Sequence, residues 1–196
     1  MKSIKLFLVL AFAISTNVFA VKKPTVLNVD ASKSGVKWLA KKVGGQHDGT
    51  VGITKGTLEV EGGKLVGGNF VIDMTTMKCT DITDAGYNAK LMGHLSGSDF
   101  FDTAKFGTAN LKITKVVTKG SLVEITGDLT IKGITAPITF PAVFASTPTG
   151  ATASAGIIID RTKYDIKYNS KSFFASIGDK AIDDNFTLTI SLVAAK

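Results

Sequence analysis

The chain has 196 residues, of which 44% are hydrophobic, and its 23 lysines and arginines outnumber 16 acidic residues to give a formal net charge of +7. This length suits one domain with a sizeable core. The lysines alternate with threonine and do not cluster with aromatic residues, so a nucleic-acid-binding protein is not expected. The charge indicates a solvated lysine surface or, alternatively, attraction to anionic lipid head groups or a phosphorylated ligand. Cys79 is the single cysteine, which excludes an internal disulfide bond.

The start of the chain has the pattern of a secretory signal peptide. Lys2 and Lys5 precede an apolar run, and small residues end at Ala20. The run is shorter than the roughly 18 residues that a membrane helix needs. We therefore predict a signal peptide over residues 1–20, cleavage after Ala20, and a mature domain over residues 21–196 that is periplasmic or secreted.

Apolar and polar residues alternate along most of the remaining chain, which is typical of strands with one buried and one wet face. The first strand is expected within Asn28–Lys42, and Gly62-Gly63 predicts a tight hairpin turn. The segments predict about eight antiparallel strands. Closure into a barrel hides the apolar face and the edges of such a sheet, and about eight strands leave just enough interior for a small ligand.

One later stretch breaks the alternation. Tyr87, Leu91 and Leu95 are four residues apart, and Thr83 or Asp84 is a suitable N-cap. We predict one short helix over or beside the barrel, with this apolar stripe buried against the barrel mouth.

The inward face of the strands is the predicted binding surface for an apolar ligand. Two phenylalanine doublets, Phe100-Phe101 and Phe173-Phe174, are expected either to plug a barrel end or to line a lipid entrance. The predicted ligand-binding residues are Trp38, Phe70, Ile72, Met74, Phe100, Phe101, Leu111, Ile113, Leu129, Ile131, Phe140, Ile157, Ile159, Arg161, Leu188 and Ile190.

Arg161 is the only arginine in the chain, and we expect it on the strand face of Ile157 and Ile159. Arginine is favoured over lysine where a planar fork pairs with carboxylate or phosphate, often in partly buried positions. Two interpretations of Arg161 stay open. It forms a fixed pair with a carboxylate that closes one barrel end, or it contacts the polar head of a ligand.

Motifs of known catalytic sites are missing from the sequence, with no GxSxG, P-loop, GxGxxG or HExxH pattern. The adjacent carboxylates Asp183-Asp184 are expected in a turn between strands. The alternative to a binding protein is a small metal- or redox-dependent accessory or enzyme that uses His47, His94 and Cys79. Otherwise each histidine is expected to cap a turn or bond a backbone carbonyl near the rim.

Five segments together resemble the YceI-like family. The resemblance implies an exported, lipocalin-like antiparallel barrel that holds a long isoprenoid or another extended lipid, and it transfers no catalytic residue, metal or cofactor. A transient membrane-surface contact is a further expectation, and the oligomeric state stays open, a dimer included. The competing classes are an integral outer-membrane barrel and a filled sandwich without a cavity. The segments are SGVKW (34–38), HDG (47–49), HLSGSDFFD (94–102), GDLTIKGITAPI (127–138) and IDR (159–161).

Overall fold

The computed structural model describes residues 23–196, so the predicted signal peptide lies outside the described residues. The chain forms nine β-strands, one α-helix and two short 3₁₀ helices. All neighbouring strands pair antiparallel, which confirms the predicted all-β architecture with one short helix. The elements are β1 (Thr25–Val29), β2 (Gly35–Lys42), β3 (Gly45–Glu61), β4 (Lys64–Cys79), α1 (Ala85–Ser96), β5 (Thr108–Lys119), β6 (Leu122–Ile131), β7 (Ile134–Ser146), β8 (Gly150–Asp160), the 3₁₀ helices Arg161–Tyr164 and Gly178–Lys180, and β9 (Ile182–Ala195).

The strands follow the order β3-β2-β9-β8-β7-β6-β5-β4 around the sheet. The sheet closes into a barrel because the first and last strands of this order, β3 and β4, also pair with each other. The strand β1 adds no ninth position. It pairs with the second half of β3 and the last residues of β9, while β2 pairs with the first half of β3 and the earlier part of β9. Two short strands therefore share one position, and the barrel has eight, as the alternation predicts.

The strand expected within Asn28–Lys42 is present as β2 (Gly35–Lys42), but it is the second strand and not the first, because β1 precedes it. Asp30 causes the break between the two strands. Its carboxylate accepts the Ser32 N–H at 3.0 Å, and its carbonyl accepts the Lys33 N–H at 3.1 Å, which together form a turn. The predicted Gly62-Gly63 turn is confirmed, since both glycines have positive φ angles (56° and 79°) that suit a two-residue hairpin.

The helix α1 lies beside the end of β4, and Asp84 caps it by accepting the Tyr87 N–H at 2.8 Å. Asn88 holds it there by donating to the carbonyls of Cys79 and Ile82. The expected burial of the whole apolar stripe is wrong, because Tyr87 is 67% exposed. Only the C-terminal turn reaches the barrel mouth. None of the helices within residues 23–196 has the length and apolarity of a bilayer-spanning segment.

The two ends of the barrel are built differently. At the end where β1 joins, which we call the closed end, Leu27 packs opposite Leu58 and Val60 opposite Leu65, and all four are buried. At the other end, which we call the helix end, α1, residues 97–107 and residues 161–181 follow the strands. The apolar core is continuous between the two.

Candidate ligand-binding cavity

The barrel interior contains an apolar cavity of about 180 Å³. All 16 residues predicted to bind ligand line it, because inward side chains alternate along strands that surround one interior. The expectation of a hollow centre is therefore met, and a filled sandwich is wrong for this fold. Lining alone does not test whether these residues touch a ligand, so their binding role remains a prediction.

Sequence reasoning missed several lining residues because register shifts change which face a residue occupies. In β3, Val51 and Ile53 line the cavity, and so does Leu58, although an alternating strand would put it on the opposite face. A register shift between Ile53 and Lys55 reverses the alternation. Small residues on inward faces were missed for a different reason, since alanine carries little apolar signal. The missed positions include Val51, Ile53, Leu58, Leu65, Met77, Ala109, Ala142, Ala153, Ala155 and Ile182.

The two phenylalanine doublets have different surroundings at the helix end. Phe100 is buried and Phe101 is half-buried, both line the cavity, and the Phe101 ring meets the Phe186 ring edge-on at 6.3 Å. Phe173 and Phe174 are each 50% exposed. The first doublet plugs the mouth, whereas the second presents apolar surface beside it.

Arg161 lies just beyond β8, as the first residue of a 3₁₀ helix, and not on the strand with Ile157 and Ile159 as expected. Its three guanidinium nitrogens donate to the carbonyls of Asp183 (3.0 Å), Ile166 (2.8 Å) and Ile182 (3.0 Å). The Asp184 carboxylate is 3.7 Å away. Burial lowers the pKa of Arg161, while the carboxylates of Asp184, Asp160 and Asp183 favour its charged form.

These contacts join residues 161–166 to the start of β9. They favour the closing role over the ligand-head role, since each nitrogen already serves a backbone carbonyl. Asp183 and Asp184 belong to β9 itself, so their expected position in a turn is wrong.

The two histidines lie in separate surroundings, and both bond carboxylates, which corrects the expected backbone carbonyls. His94 Nε2 is 3.3 Å from Asp99 Oδ2, and its ring packs edge-on against Phe100 and Tyr168. His47 Nδ1 is 2.9 Å from Asp81 Oδ2. A site that combines both histidines with Cys79 is not formed among residues 23–196, where the one group with three possible metal ligands is His47, Cys79 and Asp81.

Asp81 is the centre of that group. Its carboxylate accepts from the Cys79 thiol (3.1 Å) and the Asp48 N–H (3.1 Å) as well as pairing with His47. Partial burial would raise the pKa of Asp81, but these hydrogen bonds outweigh it and lower the pKa to about 2. Burial, with the carboxylate beside it, raises the pKa of the Cys79 thiol. The thiol is therefore protonated at neutral pH, which disfavours nucleophilic or redox chemistry. His, Cys and Asp side chains are common zinc ligands, but here each of the three already forms a hydrogen bond within the cluster.

Trp38 is held flat against β3 by a glycine. A Cβ on Gly49 would overlap the Lys78 carbonyl oxygen and come within 2.7 Å of the Trp38 ring. Glycine is therefore required opposite Trp38 in the sheet, where the two residues are paired. The indole thus lines the cavity in a position set by the strand beside it.

Comparison with known proteins assigns the fold to a family. The family model of the YceI-like domain matches residues 27–194. The chain belongs to the YceI-like family. A UPF0312 protein of Vibrio parahaemolyticus is 39% identical over 77 residues, a stretch that covers 39% of this chain and only 37% of that protein.

Two solved structures share this YceI-like barrel. BcnA of Burkholderia cenocepacia superposes with a TM-score of 0.68 at 23% identity, covering 85% of this chain and 99% of that one. A polyisoprenoid-binding domain from Saccharophagus degradans, implicated in plant cell wall breakdown, superposes with a TM-score of 0.63 at 14% identity, covering 88% and 99%. At these identities the likeness shows the fold alone.

The YceI-like segments of the sequence lie at structurally demanding places in the barrel. SGVKW ends in Trp38, and HDG supplies the glycine beneath its ring. HLSGSDFFD forms the last turn of α1 and the Phe100-Phe101 plug. IDR ends in the arginine that joins the helix end to β9. Each of these four segments contributes to the cavity or to its mouth.

Proposed function

We propose that this protein is an exported carrier that holds the hydrocarbon chain of an isoprenoid-type or other long-chain lipid in its barrel, for carriage, storage or sequestration. The observation that carries the proposal is the cavity, whose lining comes from inward aliphatic and aromatic side chains all around the barrel. Burial of each CH₂ group is worth about 0.8 kcal/mol. A polyprenyl or acyl chain therefore has ample driving force to enter, offset in part by its lost flexibility.

The cavity volume sets how such a chain can be accommodated. A volume of about 180 Å³ exceeds the roughly 150 Å³ apolar cavity that accepts benzene, but it is below the roughly 300–1,000 Å³ of typical ligand sites. A long chain therefore needs side chains to move. Met74 and Met77 line the cavity, and methionine adapts most easily because it is unbranched.

The helix end is the proposed entrance for the lipid. The closed end is packed with buried leucine and valine. At the helix end Tyr164 and Ile166 are buried as well, but α1, whose last turn lies at the mouth, has no buried residue of its own. Elements with few buried contacts open locally at low cost. Displacement of the Phe100-Phe101 plug would connect the cavity with the outside.

We further propose that the helix end makes transient contact with an anionic membrane surface. The half-exposed Phe173 and Phe174 suit insertion at the level of the head groups, and the Lys167 ammonium lies 5.0 Å from the centre of the Phe173 ring. Lys171 and Lys180 belong to the same segment. Each lysine near an anionic surface adds about 1 kcal/mol of attraction.

The experiment that tests lipid binding fills the cavity with a bulky side chain. Ile157 is 4% exposed and lines the cavity, while its neighbour Ile158 is 68% exposed on the outer face. Ile157→Trp should weaken binding of the C20 alcohol geranylgeraniol by about tenfold or more, because the added ring occupies the space of the chain. Ile158→Trp is the matched control and should bind as the unaltered protein does. Native mass spectrometry measures both, and circular dichroism confirms the folds.

Unchanged binding by a folded Ile157→Trp variant would overturn the cavity as the binding site. The export part of the proposal has its own test. Intact mass of protein purified from the periplasm or culture medium of its host should correspond to a chain that begins at Val21.

A further inference from the structure

The cluster of His47, Cys79 and Asp81 lies outside the lipid cavity and has no part in the proposed function. None of the three side chains lines the cavity. His47 is near the start of β3, whereas Cys79 ends β4 and Asp81 follows it. One ligand atom of each side chain lies within 4.8 Å of the ligand atoms of the other two. The pairing of β3 with β4 therefore brings together a nitrogen, a sulfur and an oxygen at the helix end of the barrel.

This set of ligand atoms suits Zn²⁺, whereas Mg²⁺ and Ca²⁺ prefer oxygen ligands alone. In a tetrahedral zinc site, neighbouring ligand atoms are about 3.3–3.6 Å apart. Here His47 Nδ1 is 2.9 Å from Asp81 Oδ2, and Cys79 Sγ is 3.1 Å from Asp81 Oδ1. Outward movements of about 0.5 Å would bring the three side chains to zinc-site spacing, with water as a fourth ligand.

The backbone around the cluster is held by further hydrogen bonds. The Asp48 N–H donates to Asp81 Oδ1 at 3.1 Å, which orients the carboxylate and leaves Oδ2 for a cation. The Asp48 carbonyl accepts the Thr80 N–H at 2.9 Å, and Asn88 donates to the Cys79 carbonyl at 3.1 Å. Outer partners of this kind orient metal ligands and raise metal affinity. The three ligands are therefore positioned by groups that a bound cation would not displace.

The exposure of the side chains gives a cation a route to the cluster. The side chains of His47 and Asp81 are 32% and 29% exposed, whereas Cys79 is 8% exposed. The hydrogen bonds inside the cluster depend on the thiol proton and the imidazole Nδ1 proton. A zinc ion replaces both protons, and its two positive charges neutralise the thiolate and the carboxylate together.

We propose that His47, Cys79 and Asp81 form a zinc site that joins β3 to β4 at the helix end of the barrel. On binding, the Cys79 thiol gives its proton to solvent, and its sulfur forms a bond to the metal. The His47 ring carries its hydrogen on Nε2, so that Nδ1 coordinates, and Asp81 is already ionised. The site is independent of the lipid cavity, and its effect is to fix the ends of the two strands next to α1.

The test uses Co²⁺, which enters zinc sites and reports its ligands by absorption. Protein purified without a histidine tag and stripped of metal with EDTA should bind about one Co²⁺ ion, with the visible bands of a tetrahedral site. A sulfur-to-cobalt charge-transfer band in the near ultraviolet should accompany them. Since Cys79 is the only cysteine, this band reports the site without any variant. Zn²⁺ should displace the Co²⁺ and Mg²⁺ should not, and calorimetry in different buffers should show release of about one proton when Zn²⁺ binds the stripped protein.

Two variants each remove one ligand. Cys79→Ser and His47→Gln should lower the affinity for Zn²⁺ by about 100-fold, and Cys79→Ser should abolish the charge-transfer band. The matched control is His94→Gln, because His94 also pairs with an aspartate, at 3.3 Å from Asp99, but does not belong to the cluster. It should bind Zn²⁺ as the unaltered protein does. Circular dichroism confirms the folds.

The outcomes separate this site from chance binding and from the proposed function. Co²⁺ binding without the charge-transfer band, or with equal affinity in Cys79→Ser, overturns the site and shows an adventitious ion only. Failure of the unaltered protein to bind either Co²⁺ or Zn²⁺ overturns it as well. Each of these results leaves the lipid-binding proposal intact, since the three ligands lie outside the cavity lining.

Discussion

At the scale of single residues, the Asp81 carboxylate links the start of β3 to the end of β4 through His47, Cys79 and the Asp48 N–H. The pKa of Asp81 is lowered to about 2 in the folded chain, whereas an unfolded aspartate titrates near 3.9. A lowered pKa means that Asp81 contributes stability above about pH 4. This contribution is lost as the pH falls through 4 towards 2.

Asp81→Asn should therefore lower the free energy of unfolding at pH 7 by about 1 kcal/mol, because a charged acceptor with three donors is replaced by a neutral amide, while solvent screens part of the difference. The difference from the unaltered protein should shrink as the pH falls from 4 to 2. Urea unfolding at several pH values measures it. The exposed Asp128→Asn is the control and should change stability little. A difference that is the same at pH 7 and pH 2 would contradict the linkage.

Substitution of Arg161 tests whether it closes the barrel end or contacts the head of a ligand. Arg161→Lys should destabilise the protein by about 2–4 kcal/mol, because a lysine ammonium cannot serve three carbonyls that a guanidinium fork reaches. The exposed Lys163→Ala, in the same 3₁₀ helix, is the control. Thermal unfolding measures both variants. Unchanged stability combined with weaker geranylgeraniol binding would show instead that Arg161 contacts the ligand head.

At the scale of elements, the segment between β8 and β9 joins the cavity to the outer surface. Arg161, at the start of this segment, donates a hydrogen bond to the Ile182 carbonyl. The parallel bridge between Ser170 and Ile182 joins the middle of the segment to β9. Phe173 and Phe174 follow directly after this tie, so the half-exposed pair is held at the mouth and not on a free loop. The proposed membrane contact belongs to this element.

Phe173→Ser with Phe174→Ser should slow the uptake of geranylgeraniol from phosphatidylglycerol vesicles several-fold, because the apolar contact with the membrane is lost. Equilibrium affinity in solution should be unchanged, since neither residue lines the cavity. Stopped-flow mixing with vesicles measures the rate of geranylgeraniol uptake. Higher salt should lower this rate for the unaltered protein, because it screens the lysines from the anionic lipid. Val143→Ser removes a similarly exposed apolar residue (51%) on β7 and should have no effect. Equal rates for all three proteins would contradict the contact.

At the scale of the whole molecule, stability and binding are coupled because the cavity exists only in the closed barrel. A ligand that binds only the folded state stabilises it by about 2.7 kcal/mol at 100 times its Kd. For a domain of this size, that corresponds to a rise in Tm of about 5–10 °C. Delipidated protein reloaded with geranylgeraniol should show this rise in calorimetry. An equal rise in Ile157→Trp would place the bound lipid outside the cavity.

The sequence by itself determined the barrel, its eight strand positions and 16 of the residues that line the cavity. Alternation is a local property of two-residue period, so it identifies inward residues such as Ile157 and Ile159 without knowledge of their partners. Turn chemistry is local as well, which is why Gly62-Gly63 was predicted correctly. The Asp84 cap was one of two local candidates, and the structure chose it. The Asp30 turn that divides β1 from β2 has a local signal as well, since aspartate favours such turns.

Only the tertiary structure decided what depends on contacts between distant segments. The register shift after Ile53 reverses the alternation because of how β3 pairs with β4, and no local pattern encodes it. Asp81 meets His47 across 34 positions, and Arg161 meets Ile182 across 21. Period and turn chemistry depend on neighbouring residues, whereas pairing register and side-chain partners are set only when the barrel closes.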